Sequence, residues 1–155
     1  MNPHYSVHVL GAADVGMLRS MLALFAEAFE DPATYLARQP SDEYLSGLLS
    51  SPTFVAAAAL DGASVVGGLA GYVLPKFEQA RSEFYIYDLA VAVEHRRKGV
   101  ATALIEKVGA VVAERGVYVT FVQADHGDEA AIALYTKLGT REDVMHFDIV
   151  PRGAA

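Results

Sequence analysis

The stretch Glu83–Val93, EFYIYDLAVAV, runs through Glu94–Lys98 directly into GVATALIEKVGAVVAER. The first part is β-branched and aromatic, the make-up of a central strand. The second part carries Val100, Ala101, Leu104, Ile105, Val108, Val111 and Val112 at helical spacing, and Gly116 is placed to end that helix. A strand feeding a helix this directly restricts the chain to sheets with helices packed on their faces. The junction holds a second constraint. Arg96, Arg97 and Lys98 precede Gly99 at the helix start. A helix N-terminus carries partial positive charge and favours acids. Three cations there make sense when a strongly anionic ligand docks onto them.

The rest of the chain fills in around this unit. YSVHVL (Tyr5–Leu10) alternates like a short strand. Asp14–Phe29 has Leu18, Met21, Leu22, Phe25 and Phe29 at helical spacing, and Ser41 offers an N-cap to a second helix. TFVAAAAL and SVVGGLAGYVLP read as a hairpin about Asp61-Gly62, closed by Pro75. VYVTFVQA is a further strand, EAAIALYTKL a helix stopped by Gly139, and EDVMHFDI a last strand. The expected order is β, α, α, three strands, α, β, α, β. The expected fold class is α/β (α+β), in one domain over residues 1–155, with helices on both faces of the sheet.

Composition removes several function classes. The 155 residues are 53% hydrophobic and 20% charged, a globular balance. No apolar run approaches the ~20 residues that cross a bilayer, so no membrane association is expected. The N-terminal stretch lacks a cationic segment followed by an apolar one, and the chain has no cysteine, which fits a cytoplasmic protein. The absence of cysteine also removes thiolate nucleophiles. The formal net charge of −7 argues against nucleic acid and favours a cationic partner or substrate. The five histidines show no metal-ligand spacing, and no metal is expected.

Arg96-Arg97-Lys98-Gly99-Val100-Ala101 has the form Arg/Gln-x-x-Gly-x-Gly/Ala. A strand–loop–helix of this kind offers free backbone N–H groups to phosphate oxygens. Gly99 permits close backbone approach and Ala101 is small. The alternative is a loop of solvated cations. The context of DLAVAVEH before the pattern and DEAAIALYTKLGT after it resembles the GCN5-related N-acetyltransferase (GNAT) family. That resemblance implies a mixed, mostly antiparallel sheet that splays at the cofactor site. It implies acetyl-CoA as cosubstrate, with pantetheine along Leu89, Ala90 and Val91. Arg96, Arg97, Lys98, Gly99, Val100, Ala101 and Thr102 would hold the pyrophosphate. The family often has Asn at the position of Asp128. FEDPATYLARQPSDEYLSGLL, LPKFEQARSE and YTKLGTREDVMHFD further resemble the aminoglycoside 3-N-acetyltransferases, over about Asp14 to Ile149. The implied activity is acetylation of the 3-amino group of gentamicin-type antibiotics, and so resistance to them.

Acetyl transfer to an amine needs the amine neutral. Moving a proton from an amine of pKa ~10 to a carboxylate of ~4 is uphill by roughly 8 kcal/mol, so the site must narrow that gap. Asp88 is the leading candidate base, since an aspartate inside YIYDLAV is costly unless something justifies it. A structural carboxylate is the competing reading. Glu83 on the same strand is the second choice. The resemblance implies Tyr135 as the acid beside the CoA sulfur, against a packing role for a lone helical tyrosine. Asp125, Asp128 and Glu129 form an acidic loop suited to a polycation, with Glu78, Asp143 and Asp148 as further substrate-binding candidates; the competing reading is a solvated turn. A polyamine or other small-amine acetyltransferase, and a CoA-binding module without turnover, are the alternatives. The oligomeric state is left open, a homodimer among the options.

Overall fold

A computed structural model describes residues 4–154. The elements in chain order are β1 (Tyr5–Val9), α1 (Val15–Ala28), α2 (Pro32–Leu36), α3 (Asp42–Ser50), β2 (Phe54–Asp61), β3 (Ser64–Pro75), β4 (Ser82–Val91), a 3-10 turn at Val93–His95, α4 (Val100–Ala113), β5 (Val117–Val122) and α5 (Glu129–Leu138). The chain divides into two compact units, one ending at Gln123 and one beginning at Ala124.

In the first unit the strands form a sheet of order β1-β2-β3-β4-β5. The first three pairings are antiparallel and β4–β5 is parallel. A parallel neighbour needs a crossover, and α4 supplies it. Its Val100, Leu104, Val108 and Val112 recur every four residues and bury into one face of the sheet. On the other face α1 contributes Leu18, Met21 and Phe25, and α3 contributes Leu45 and Leu49. The alanine run of β2 follows from this sandwich. Val55, Ala57 and Ala59 serve the α4 face, while Phe54, Ala56 and Ala58 serve the α1 face. Small residues let helices close in from both sides.

The feature that positions the site is a bulge in β4. Ala70 pairs with Asp88 but Gly71 pairs with Ile86, leaving Tyr87 as the extra residue. Before it Phe84 and Ile86 point to the α4 core; after it Leu89 and Val91 do. The parity flips, so Asp88 and Ala90 face α1 instead. Gly71 is what allows the strands to close here. A Cβ at that position would collide with the Tyr85 carbonyl oxygen and lie 2.5 Å from Phe84 Cζ. Gly71→Ala is expected to destabilise the fold by about 1–3 kcal/mol, as overpacking against an unyielding neighbour does. Urea unfolding would check this; an unchanged midpoint would show that the bulge can shift.

Two sequence expectations are corrected. The short helix α2 was not foreseen, although its Asp31 cap, accepting from Thr34 N–H at 3.1 Å, and its Pro32 at the first turn are legible start signals. The last strand, EDVMHFDI, does not form: residues 141–150 carry no regular structure. Val144, Met145, Phe147 and Ile149 lie 71–89% exposed. An alternating pattern makes a strand only when a neighbour takes up its backbone groups. In this second unit α5 is capped by Asp128, which accepts from Ala131 N–H at 3.2 Å.

Candidate active site

A cavity of about 160 Å³ opens between the α1 face of the sheet and the helices α1 and α3. Leu18, Leu22, Phe25, Leu45, Leu48 and Phe54 make its wall apolar, and Tyr72, Tyr87 and Asp88 come from the strands. Asp88 is the one charged residue in this lining. Burial pushes its carboxyl above the usual aspartate range, and a hydrogen bond from Tyr35 pulls it partly back. Tyr35 Oη donates to Asp88 Oδ2 at 2.9 Å. The Tyr35 phenol is itself held up, first by burial and then by that bond to a carboxylate. A half-buried carboxyl that ionises reluctantly, in an apolar cleft, is chemically suited to accept a proton.

Beside Asp88 the parallel pairing of β4 stops. The β4–β5 ladder ends at the Ile86–Val122 pair, while β4 continues to Val91 alongside β3. Ala92 N–H donates to Val66 O at 2.8 Å. Bonded pairs recur every second residue in an antiparallel ladder. Leu89 and Val91 therefore turn their backbone groups away from β3, to the side where β5 has stopped pairing. Val91 O accepts from Arg96 Nε at 3.0 Å, so one of the three clustered cations ties the loop to the strand. Tyr5 Oη and His95 Nδ1 lie 2.7 Å apart, which anchors the start of that loop to β1. Arg97 and Lys98 are exposed. Arg97 (φ 60°) and Gly99 (φ 80°) are both left-handed. Gly99 is the N-cap of α4 and has no side chain to cap it. The helix ladder starts with Ala103 N–H on Gly99 O at 3.0 Å. The N–H groups of Val100, Ala101 and Thr102 thus lack a side-chain cap. An open strand edge with amide-spaced donors and acceptors, followed by an uncapped helix start with two exposed cations, fits a ligand combining amides with a diphosphate.

The other sequence candidates fall elsewhere. Glu83 is five residues from Asp88, roughly 17 Å along an extended strand. Its Oε1 takes Lys76 Nζ at 3.2 Å and Tyr118 Oη at 2.9 Å. The same Lys76 reaches Glu78 Oε1 at 3.0 Å. These two acids share one lysine and do not line the cavity. In the second unit Asp125, Asp128 and Glu129 lie together at the start of α5, all exposed. Asp143 pairs with Arg141 at 2.9 Å, and Asp148 with His146 at 2.9 Å. Tyr135, on α5, is half-buried, and its phenol is pushed up by burial and then by the charge of Asp128. Sequence reasoning missed Tyr35 and Tyr72. The Asp31-Pro32 signal could have placed Tyr35 on a helix, but not its contact with a residue 53 positions away.

A five-stranded sheet whose parallel ladder stops before the end of β4, with an uncapped, cationic helix start, is the frame of an acyl-CoA-dependent transferase. Residues 18–140 match the profile described as the Acetyltransferase (GNAT) family. The chain belongs to that family, whose enzymes transfer acetyl from acetyl-CoA. Among solved structures it is similar to the aminoglycoside acetyltransferase HMB0005 from an uncultured soil metagenomic sample. The two share 55% identity with a TM-score of 0.92, over 95% of this chain and 98% of that one. It is also similar to the aminoglycoside acetyltransferase meta-AAC0020, again from an uncultured soil metagenomic sample, in complex with sisomicin. There the identity is 30% and the TM-score 0.87, over 96% of this chain and 97% of that one. No curated protein matched the sequence. Among the described residues no helix is long and apolar enough to cross a membrane.

Proposed function

We propose that this chain, as one acetyltransferase domain in the cytoplasm, acetylates the 3-amino group of aminoglycosides and so confers resistance to them. The observation that carries the reading is Asp88: a lone carboxylate, raised by burial, in an apolar cavity where β4 leaves β5. The similarity to HMB0005 and to meta-AAC0020 supports the substrate class. Acetyl-CoA supplies the acetyl thioester. The edge of β4 over Leu89, Ala90 and Val91 would take the pantetheine amides through the outward backbone groups of Leu89 and Val91, with Ala90 bonded to β3 between them. The N–H groups of Val100, Ala101 and Thr102, with Arg97 and Lys98, would take the diphosphate; Arg96 holds the loop in place.

Asp88 takes the proton from the acceptor ammonium. Its raised ionisation narrows the gap to the amine at about 1.36 kcal/mol per pH unit. The amine then attacks the thioester directly in a ternary complex; the absence of cysteine removes the commonest covalent route. Tyr135 is the proposed proton or hydrogen-bond donor to the departing thiolate. Asp125, Asp128 and Glu129, with Glu78, Asp143 and Asp148, are the proposed sources of the negative field that attracts a polycation.

Thiol release from acetyl-CoA is the direct test, with sisomicin, gentamicin, spermidine and simple diamines as acceptors. Acetylated aminoglycoside is expected, with the acetyl group at the 3-amino position by NMR. Acetylation at another amine would correct the regiochemistry alone. Turnover with spermidine and none with aminoglycosides would replace this reading by a polyamine acetyltransferase. Acetyl-CoA binding without thiol release from any amine would leave a binding module.

A further inference from the structure

We propose that Tyr35 is the positioning residue of the acetyl-transfer site: its hydroxyl holds Oδ2 of Asp88 and leaves Oδ1 to receive the proton of the acceptor amine. The inference rests on the reading of Asp88 as the base. Among the described residues Tyr35 is the hydrogen-bond partner of this carboxylate, at 2.9 Å. An aspartate side chain in an apolar cleft otherwise has two rotatable bonds and nothing to fix them. One donor on one oxygen orients the group and still leaves the second oxygen's lone pairs available.

Tyr35 is itself firmly placed. Its ring packs against Phe25 and Phe29, each with a centroid separation of 5.9 Å. Its backbone carbonyl accepts from Gln39 Nε2 at 3.2 Å. Gln39 Oε1 in turn accepts from Arg19 Nη1 at 2.7 Å, and Arg19 also binds Pro40 O at 3.0 Å and Asp42 Oδ1 at 2.6 Å. A five-residue helix too short to stand alone is thereby tied to α1 and α3. That effort of placement is unexplained by packing alone, since Tyr35 belongs only to the margin of the α1-face core.

The bond also sets when the base is available. The groups facing Asp88 are Tyr35 from α2, Tyr72 from β3, and Tyr85 and Tyr87 from β4. From α1, α3 and β2 only leucines and phenylalanines line the cavity. No cation lines the cavity, so the Tyr35 hydroxyl is what opposes the effect of burial on the carboxyl. Without it the carboxylate would form only at higher pH, and less base would be present at any given acidic pH.

The test is Tyr35→Phe, which keeps the ring packing and removes one oxygen. Asp88 is titrated through its side-chain carboxyl carbon signal in the free enzyme, and kcat/KM is measured across pH. The Asp88 midpoint is expected to rise by about one pH unit, as befits a lost hydrogen bond to a charge. The acidic limb of kcat/KM should move up with it, giving about a tenfold loss on that limb. KM for acetyl-CoA should stay constant. Gln39→Ala keeps the hydroxyl but loosens its anchor, and should give a smaller change of the same sign. Thermal unfolding of both variants reports whether the fold is intact. An unmoved Asp88 midpoint in folded Tyr35→Phe overturns the proposal. A midpoint that rises while the kcat/KM limb stays put removes Asp88 from proton transfer, and the role of Tyr35 in turnover falls with it. If the wild-type enzyme acetylates no aminoglycoside but does acetylate another amine, the substrate reading fails, and the same two measurements with that amine still decide the role of Tyr35.

Discussion

Asp88→Asn is expected to lower kcat by about 10²–10³-fold, within the range a positioned general base contributes. Asn has the same shape and can still accept from the Tyr35 hydroxyl, so the cavity should persist. It has no usable basicity, and the amine proton then has only bulk water to go to. Acetyl-CoA affinity, measured calorimetrically, should be nearly unchanged, because the carboxylate lines the cavity under α1 and α3 and is not part of the α4 loop. The pH profile gives a second reading with a definite sign. A base works only when deprotonated, so wild-type kcat/KM is expected to fall as pH drops through the Asp88 ionisation. Burial has moved that ionisation up, so the fall begins above the ordinary aspartate range. In Asp88→Asn that limb should vanish. Turnover within threefold of wild type would mean that Glu83, a relayed water or the neutral fraction of the amine serves instead. Glu83 starts from a poor position, bound to Lys76 and Tyr118.

Gly99→Val is expected to weaken acetyl-CoA binding by roughly 10²-fold. Two effects add. Gly99 sits at φ 80°, where a β-branched residue is strained by more than the ~1–2 kcal/mol charged to an ordinary side chain. Relief of that strain would rotate the peptide and re-aim the N–H groups at the start of α4. A side chain there also stands between those groups and an approaching phosphate. Losing one or two charge-assisted hydrogen bonds costs about 1.5–3 kcal/mol each. The fold should hold, since the loop is exposed and the buried face of α4 begins one residue later, at Val100. Calorimetry on the folded variant, with affinity unchanged, would remove the loop from the cofactor site. A parallel loss of thermal stability would assign part of the effect to α4 itself.

Much of the frame was legible in the residues. The spacing of Leu104, Val108 and Val112 marked the buried side of α4, and the β-branched run before it marked β4. Asp61-Gly62 marked the hairpin, and Gly62 does take a positive φ of 60°. These signals are local: each depends on side-chain period or on backbone freedom within a few residues. The alternating residues after Gly139 misled for the same reason. Their pattern is that of a strand, but a strand is a relation between two segments, and 141–150 has no ladder partner.

The candidate site divides along the same line. The sequence by itself determined that an aspartate stands in an apolar strand, that cations and a glycine open the next helix, and that no thiol is available. It did not determine which way Asp88 points. Strict alternation from Phe84 and Ile86 would send Asp88 into the α4 core, where an unpaired carboxylate is costly. The tertiary structure decided otherwise through one unpaired residue, Tyr87, opposite a glycine that lets the strands close around it. A period of two is reversed by a single insertion, so every side chain beyond the bulge changes face. That reversal delivers Asp88 to the cavity and to the Tyr35 hydroxyl, and turns the backbone of Leu89 and Val91 toward the gap left by β5. Strand composition carries no record of a bulge, because its cause is the match between two strands and not the residues of either alone.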